Sequence, residues 1–359
     1  MLTLTGPEYT APEVFQQERE RLFAQQWVYA GRSELVREPG DRLVIDAAGE
    51  SVVVVRDRLG RVHAHHNVCR HRGARLCDET GGGHGGAITC PYHAFSYSLD
   101  GALVATPNVG PEELDRTALS LWPVAVAEWE GFVFVSLAPY PPLLGDWLDT
   151  HDGLTQRFAR FALGELRIGY QTVSEVRANW KILFENYAEC LHCPRVHPEL
   201  VEIIPHYRTG AVIDAERADE GVSLREGANS FTFSGRSSLP ARRGMSSTEE
   251  SSYYGAAVIP TMMIDVTGTS VMVTRLVPRA ADHTTVSTEY LFRADAVADP
   301  AFDPTEVVTF SELVATQDYA VCERVQRGVG SRAFTHGVFT QKDSLAYHFT
   351  QRYRAEMAR

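Results

Sequence analysis

The 359-residue chain is poor in basic residues, poor in cysteine and free of long apolar runs. Its 34 lysines and arginines face 46 aspartates and glutamates, a formal net charge of −12. A nucleic-acid partner needs a basic face to meet phosphate, so the charge balance argues against one. No apolar stretch approaches the about 18–20 residues that cross a bilayer. The longest, around Val52–Val55 and Phe132–Leu137, have the length of strands, so no membrane partner is expected. The opening MLTLTGPEYTAPEVF lacks the basic start and apolar core of a secretory signal, so the expected location is cytoplasmic. No G-x-G-x-x-G strand–helix unit is present, which leaves the chain without a nucleotide site of its own. Six cysteines in a cytosolic chain fit metal ligation or plain burial better than a disulfide framework. What the chain does have is histidine, thirteen of them, several beside a cysteine. That crowding points to metal chemistry.

The length suits two domains. Thr10, Pro12 and Glu13 have the pattern of a helix start. From about Glu34 the period changes: Leu43–Asp46, Val52–Arg56 and Arg61–Val68 are short β-branched runs split by Gly and Asp, and Ile88–Thr89, Ser96–Ser98 and Gly131–Leu137 follow. Residues 36–138 are therefore predicted as a small β-rich domain, broken by the Gly81–Gly86 tract in which His84 sits. Residues 1–35 and 139–359 form the second, with helix signals at about 179–192 and 305–328 and strand-like runs at Val271–Pro278, Thr284–Arg293 and Phe231–Phe233. The class is α+β, with long helices on an antiparallel sheet. Residues 216–228 and 236–252 are polar and are expected to be loops.

Two short pairs dominate the first domain. Cys69-x-His71 is followed by Cys90-x-x-His93. A set of two cysteines and two histidines can hold structural zinc. Zinc fingers, however, place two cysteines in one knuckle and two histidines in another, whereas each loop here carries one of each. A Rieske [2Fe–2S] centre takes two thiolates on one iron and two imidazoles on the other, which one Cys and one His per loop can supply. Alternating His63, His65 and His66 are ordinary strand side chains first, and Cys77 a plain thiol.

The second domain carries NWKILFENYAECLHCPRVHPEL, residues 179–200. Glu189 and His192 lie three apart, as on one helix face, and His197 follows after a turn. Cys190 and Cys193 form a CxxC beside them, but on a continuous helix Cys190 and His192 point about 200° apart, so they would not share a metal. A further carboxylate comes from 305–328, where the apolar stripe Val307, Phe310, Val314, Val321, Val325 includes Asp318. An ionised acid on a core-facing line needs a partner. Glu306, Glu312 and Glu323 fall off the stripe and are expected to face solvent. Two histidines and one carboxylate make the facial triad of non-haem iron oxygenases.

The segments NVCRHRGARLC and CPYHAFSYSLDG resemble the Rieske signature of ring-hydroxylating oxygenases. The order CxH/CxxH, ExxHxxxxH and QDxxxCExxQxG, this last starting at Gln317, is similar to the α subunit of that family over almost the whole chain. The resemblance implies a Rieske domain joined to a helix-grip-like catalytic domain. It implies a [2Fe–2S] cluster on Cys69, His71, Cys90 and His93, and mononuclear Fe(II) on His192, His197 and Asp318. Dioxygen would be the co-substrate, with NAD(P)H acting only through a separate flavin/iron–sulfur reductase, for whose docking Arg70, Arg72 and Arg75 could supply positive charge. It also implies a homotrimer in which Glu189, where many members have Asp, bridges His192 to the neighbouring subunit's His93. The local form ENYAECLHCPRVHPEL is similar to members acting on betaines and other quaternary ammonium compounds. These hydroxylate an N-methyl carbon and release formaldehyde; the alternative is hydroxylation of an aromatic ring. Candidates for an aromatic cage are Phe184, Tyr187, Phe231, Phe233, Tyr253 and Tyr254, with Arg275 for a substrate carboxylate.

Overall fold

β-branched runs separated by Gly and Asp zip into hairpins, and the β-rich part of the computed structural model is built from them. The structure describes residues 1–82, 85–110, 112–211 and 219–359; His84 and part of the 216–228 segment lie outside the described residues. The chain divides into two units, Leu22–Trp147 and Met1–Arg21 with Leu148–Arg359.

In the first unit a six-stranded antiparallel sheet runs Val28–Arg32, Phe132–Ser136, Pro123–Trp129, Val62–His66, Glu50–Arg56, Arg42–Ala47. A three-stranded sheet of Ala87–Thr89, Ser96–Ser98 and Leu103–Ala105 accompanies it. The predicted boundary at residue 36 is corrected by the Val28–Arg32 strand. Its backbone pairs with Phe132–Val135, and all five of its residues are buried. Residues 22–35 and 139–147 accordingly belong with this unit.

The second unit is organised on another six-stranded sheet, in the order Leu166–Val176, His283–Arg293, Val271–Ala280, Met262–Val266, Ser252–Val258, Val222–Ser223. Helices Trp180–Tyr187, Thr305–Val329 and Ser344–Met357 belong to the same unit. Asn179 caps the first, accepting from the Lys181 N–H at 3.0 Å while donating to the carbonyls of Tyr9 and Ala281. Under this helix lies a buried ion pair: Lys181 and Glu18 are both 0% exposed, and Glu18 also accepts from Trp180 and Tyr353.

Several expectations are revised. The helix predicted to 192 ends at Tyr187, and residues 188–192 are irregular before a short turn of helix at Cys193–Val196. Phe231–Phe233 is a turn, closed by the Gly235 N–H on the Thr232 carbonyl, and not a strand. At the N-terminus, Ala11 and not Thr10 caps the Pro12–Glu18 helix, because Thr10 is the last residue of a preceding short helix, Gly6–Thr10, where its hydroxyl donates to the Gly6 carbonyl. On the long helix the buried line drifts from Val307, Phe310 and Ser311 to Cys322, Gln326 and Val329, leaving Val325 exposed. Asp318 stays on it, four residues before Cys322.

Candidate metal centres

In the first unit, two loops repeat one local design. The Cys69 N–H bonds the Ala74 carbonyl and the Cys69 carbonyl takes the Gly73 N–H. Likewise the Cys90 N–H bonds the Phe95 carbonyl and the Cys90 carbonyl takes the Ala94 N–H. The residue four beyond each cysteine has positive φ, +74° at Gly73 and +58° at Ala94, which turns the chain back on itself. Both thiols are buried and free, and the His71 and His93 rings lie 4.8 Å apart at 69°. His71 stacks on Phe95, which fixes its plane. His93 Nδ1 is buried without any hydrogen-bond partner, and burial holds its pKa below the usual value, followed by the nearness of His71 and Arg72. An imidazole nitrogen that is buried and unpaired has the character of a metal ligand atom. Tyr97, which sequence reasoning does not single out, places its hydroxyl 3.3 Å from Cys69 Sγ. Hydrogen bonds to the sulfurs are among the factors that set the potential of such a cluster.

Elsewhere in this unit two strand histidines have a partner at Nε2, although His65 Nδ1 is, like His93 Nδ1, buried without one. His63 Nε2 meets Asp57 at 2.9 Å, and His65 is buried against the Leu99 carbonyl. Cys77 is a buried thiol beside Arg42. Arg70 lies over the Trp122 ring and Arg72 over Tyr92.

The second unit brings His192, His197 and Asp318 together with their donor atoms all within 4.8 Å. His192 Nε2 and His197 Nε2 both face Asp318 Oδ1, at 3.3 and 2.9 Å. Their outer nitrogens are held from behind: His192 Nδ1 by Glu189 at 2.5 Å, His197 Nδ1 by Gln317 at 2.8 Å. Gln317 is oriented in turn by Glu199, and Asn186 donates to Asp318 at 2.8 Å. Glu189 reaches His192 through a turn rather than along a helix, since its carboxylate also accepts the backbone N–H groups of Leu191 and His192. Burial raises the Asp318 pKa, but the hydrogen bonds from His192 and His197 outweigh it and hold the carboxyl down at about 2. Burial likewise depresses His192, yet Asp318 and Glu189 lift it to about 9. Each group thus favours the charged form of the other, and a divalent metal bound there would require the imidazole neutral.

Two profiles match the chain: the ring hydroxylating alpha subunit (catalytic domain) over residues 163–359 and the Rieske [2Fe-2S] domain over residues 26–129. The chain belongs to the ring-hydroxylating oxygenase α-subunit family. Among curated relatives, the glycine betaine monooxygenase oxygenase subunit of Chromohalobacter salexigens is 29% identical over 368 residues, covering 94% of this chain and 82% of the relative. The carnitine monooxygenase oxygenase subunit of Escherichia coli K12 is 27% identical over 337 residues, covering 92% and 85%. Among solved structures, a quaternary ammonium Rieske monooxygenase in complex with L-carnitine has a TM-score of 0.79 at 24% identity, covering 99% of this chain and 96% of that one. Naphthalene 1,2-dioxygenase from Rhodococcus sp. has a TM-score of 0.76 at 20% identity, covering 99% and 94%. Likenesses at that level of identity establish the fold.

As a family member, this α subunit uses a Rieske [2Fe–2S] cluster and a mononuclear non-haem iron, and works in a system with a reductase. The residues present fit both groups. Two thiols with two imidazoles suit the cluster, and two imidazole Nε2 atoms with one carboxylate oxygen suit an iron that keeps open positions. Among the described residues no helix is long and apolar enough to cross a membrane.

A cavity of about 500 Å³ opens on the His192–His197–Asp318 group. Phe184, Tyr187, Phe231 and Tyr253 line it, although Phe184 is 0% exposed and stacked on Phe349. Phe233, Tyr254 and Arg275 do not line it. Phe233 is exposed, and Tyr254 packs on Phe161. Arg275 is turned away by strand alternation, since its neighbours Thr274 and Leu276 take the cavity face. The arginines at the cavity are Arg157 and Arg352; the latter donates to the Thr150 carbonyl and hydroxyl. Glu312, expected in solvent, lines the cavity instead and accepts from Thr172 and Tyr290. Glu323 is half-buried and accepts the Arg177 N–H, while Glu306 is exposed. Cys190 and Cys193 are disulfide-bonded to each other, which corrects the expectation that metal ligation or plain burial accounts for the cysteines and keeps these two out of a metal set.

Gln317 has a measurable consequence. A Gln317→Ala variant releases His197 Nδ1, and the expected result is a weaker hold on the mononuclear iron, in the range of about 10–100-fold for outer partners of metal ligands. Iron retention under chelator challenge, with the cluster absorbance as internal control, checks it.

Proposed function

We propose that this α subunit hydroxylates an N-methyl group of a small betaine or other quaternary ammonium compound, giving oxidative N-demethylation. The observation that carries the reading is the cavity: aromatic rings of Tyr187, Phe231 and Tyr253 beside an open group of two histidines and one carboxylate. A quaternary ammonium donates no ordinary hydrogen bond and is held by aromatic faces. Relatives named for glycine betaine and carnitine support the same substrate class.

On this reading Cys69, His71, Cys90 and His93 hold the cluster, and His192, His197 and Asp318 hold the iron. The cluster when bound supplies electrons singly and the iron supplies dioxygen activation. The protein's own residues do the rest. Glu189 and Gln317 fix the imidazole planes, and the aromatic walls exclude water and present a methyl group. One oxygen atom of O2 converts a C–H bond to C–OH, and the other leaves as water, consuming two electrons from the reductase and two protons. The N–CH2OH product then breaks its C–N bond: the electron pair stays on nitrogen, the hydroxyl proton is lost, and formaldehyde departs. A flavin/iron–sulfur reductase is the expected donor. A homotrimer in which Glu189 also meets the neighbouring subunit's His93 would give each cluster an iron to serve.

The test combines anaerobic purification with iron and sulfide counting and a panel of glycine betaine, carnitine and choline. Three irons and two sulfides per chain, with formaldehyde released in step with oxygen uptake, are expected. A phenol or ring diol formed from an aromatic substrate, with no formaldehyde from the panel, would overturn the reading in favour of ring hydroxylation.

A further inference from the structure

Asp265 lies at the fourth position of the Met262–Val266 strand, where alternation directs Met263 and Asp265 to the cavity. The hydroxyls of Tyr187 and Tyr253 both donate to its Oδ1, at 2.8 and 2.6 Å. Among the described residues Oδ2 makes no hydrogen bond, and no Lys, Arg or His forms an ion pair with this carboxylate. A carboxylate inside a protein costs several kcal/mol unless it is paired. This one is not paired, and its free oxygen belongs to a group that lines the cavity. Burial raises its pKa to about 6, and the hydrogen bonds from the two tyrosines oppose that rise and favour the ionised form. Around it stand aromatic faces: Tyr253 packs against Phe231 with ring centroids 5.3 Å apart, and Tyr187 and Tyr207 also line the cavity.

We propose that Asp265 is the counter-charge for the substrate's ammonium centre, a specificity-determining residue that makes the cavity select a cation over a neutral group of the same shape. The proposal rests on the functional reading above and deepens it. An ammonium carrying only carbon substituents has no N–H to offer, so hydrogen bonding cannot distinguish it from a tert-butyl group. Coulomb attraction to a carboxylate in a low-dielectric cavity can, and so can the tyrosine faces. Both tyrosine hydroxyls are spent on Asp265, which orients the rings and holds the acid in one place. Asparagine retains an oxygen to accept both hydroxyls and turns the carboxylate into a neutral amide of the same shape, so the substitution separates the electrostatic role from a structural one.

The experiment measures binding by calorimetry to the holoenzyme. The ligands are glycine betaine, carnitine and choline, each beside its neutral isostere with tert-butyl in place of trimethylammonium. In the wild type, the quaternary compound that is turned over should bind more than about tenfold tighter than its isostere. Asp265→Asn should weaken the quaternary ligand by about 10–100-fold and leave the isostere within about threefold, with iron content and cluster absorbance unchanged. The proposal is overturned if the wild type shows no cation preference, if Asp265→Asn weakens both ligands equally, or if Glu312→Gln collapses the preference and Asp265→Asn does not. Formaldehyde from no quaternary compound in the wild type would instead overturn the functional reading itself.

Discussion

An Asp318→Ala variant should keep its Rieske spectrum and lose its turnover. Asp318 Oδ1 is the one atom faced by both His192 Nε2 and His197 Nε2, so its removal takes a ligand from the centre of the group. Deletion of an outer partner of a metal ligand costs about 10–100-fold, and loss of the ligand itself must exceed that. The iron count should fall from three to two per chain, with formaldehyde release down by more than about 100-fold. The cluster should survive, because Cys69, His71, Cys90 and His93 all lie in the other unit. Iron analysis beside visible absorbance reads both quantities on one sample. A protein that only carried electrons would retain all of its function in this variant.

The largest effect on stability is expected at Glu18. Lys181 is 0% exposed and Glu18 is its ion-pair partner. Glu18→Ala leaves a buried ammonium uncompensated and strands the Trp180 and Tyr353 donors as well. The expected loss is about 3–5 kcal/mol, a large part of the about 5–15 kcal/mol that holds a domain folded. Burial already depresses the Lys181 pKa, with Glu18 opposing it, so without Glu18 the depression deepens. A lysine whose folded pKa is lowered destabilises the fold while it is protonated in the unfolded chain. The deficit should therefore be largest at neutral pH and shrink as pH rises toward lysine's ordinary value of about 10.4. Denaturant midpoints across that range check the sign. A double variant, Glu18→Gln with Lys181→Met, should recover most of the loss, since replacing both charges removes the uncompensated one.

The features legible in the sequence are those whose geometry is set within a few residues. Cys69 with His71 and Cys90 with His93 sit in turns that the local chain closes by itself, through the Gly73 and Ala94 N–H groups. Val52–Val55 and Val271–Val277 declare strands by composition, and both lie in strands of the structure. Where sequence reasoning fails, a longer-range interaction wins over local pattern. Helical spacing runs on through Glu189, but the chain leaves the helix at Ala188 and the carboxylate turns back on the Leu191 and His192 N–H groups. Glu312 reads as a surface acid because it lies off the apolar stripe; Thr172 and Tyr290, both on strands, turn it inward. Val28–Arg32 reads with the wrong domain because its partner strand lies about a hundred residues away.

By itself, then, the sequence determined which metal-ligating side chains it carries and their order along the chain, and with them the metals that could be held. It also named Asp318, since a carboxylate on a buried helical line is costly enough to demand a reason. Tertiary structure decided which groups stand behind the candidate ligands and what lines the cavity beside them. Gln317 meets His197 across 120 residues, and Asp265 meets Tyr187 across 78. Neither pairing leaves a local trace, because a glutamine on a helix and an aspartate on a strand cost nothing until packing sets a histidine beside the one and an unpaired cavity before the other.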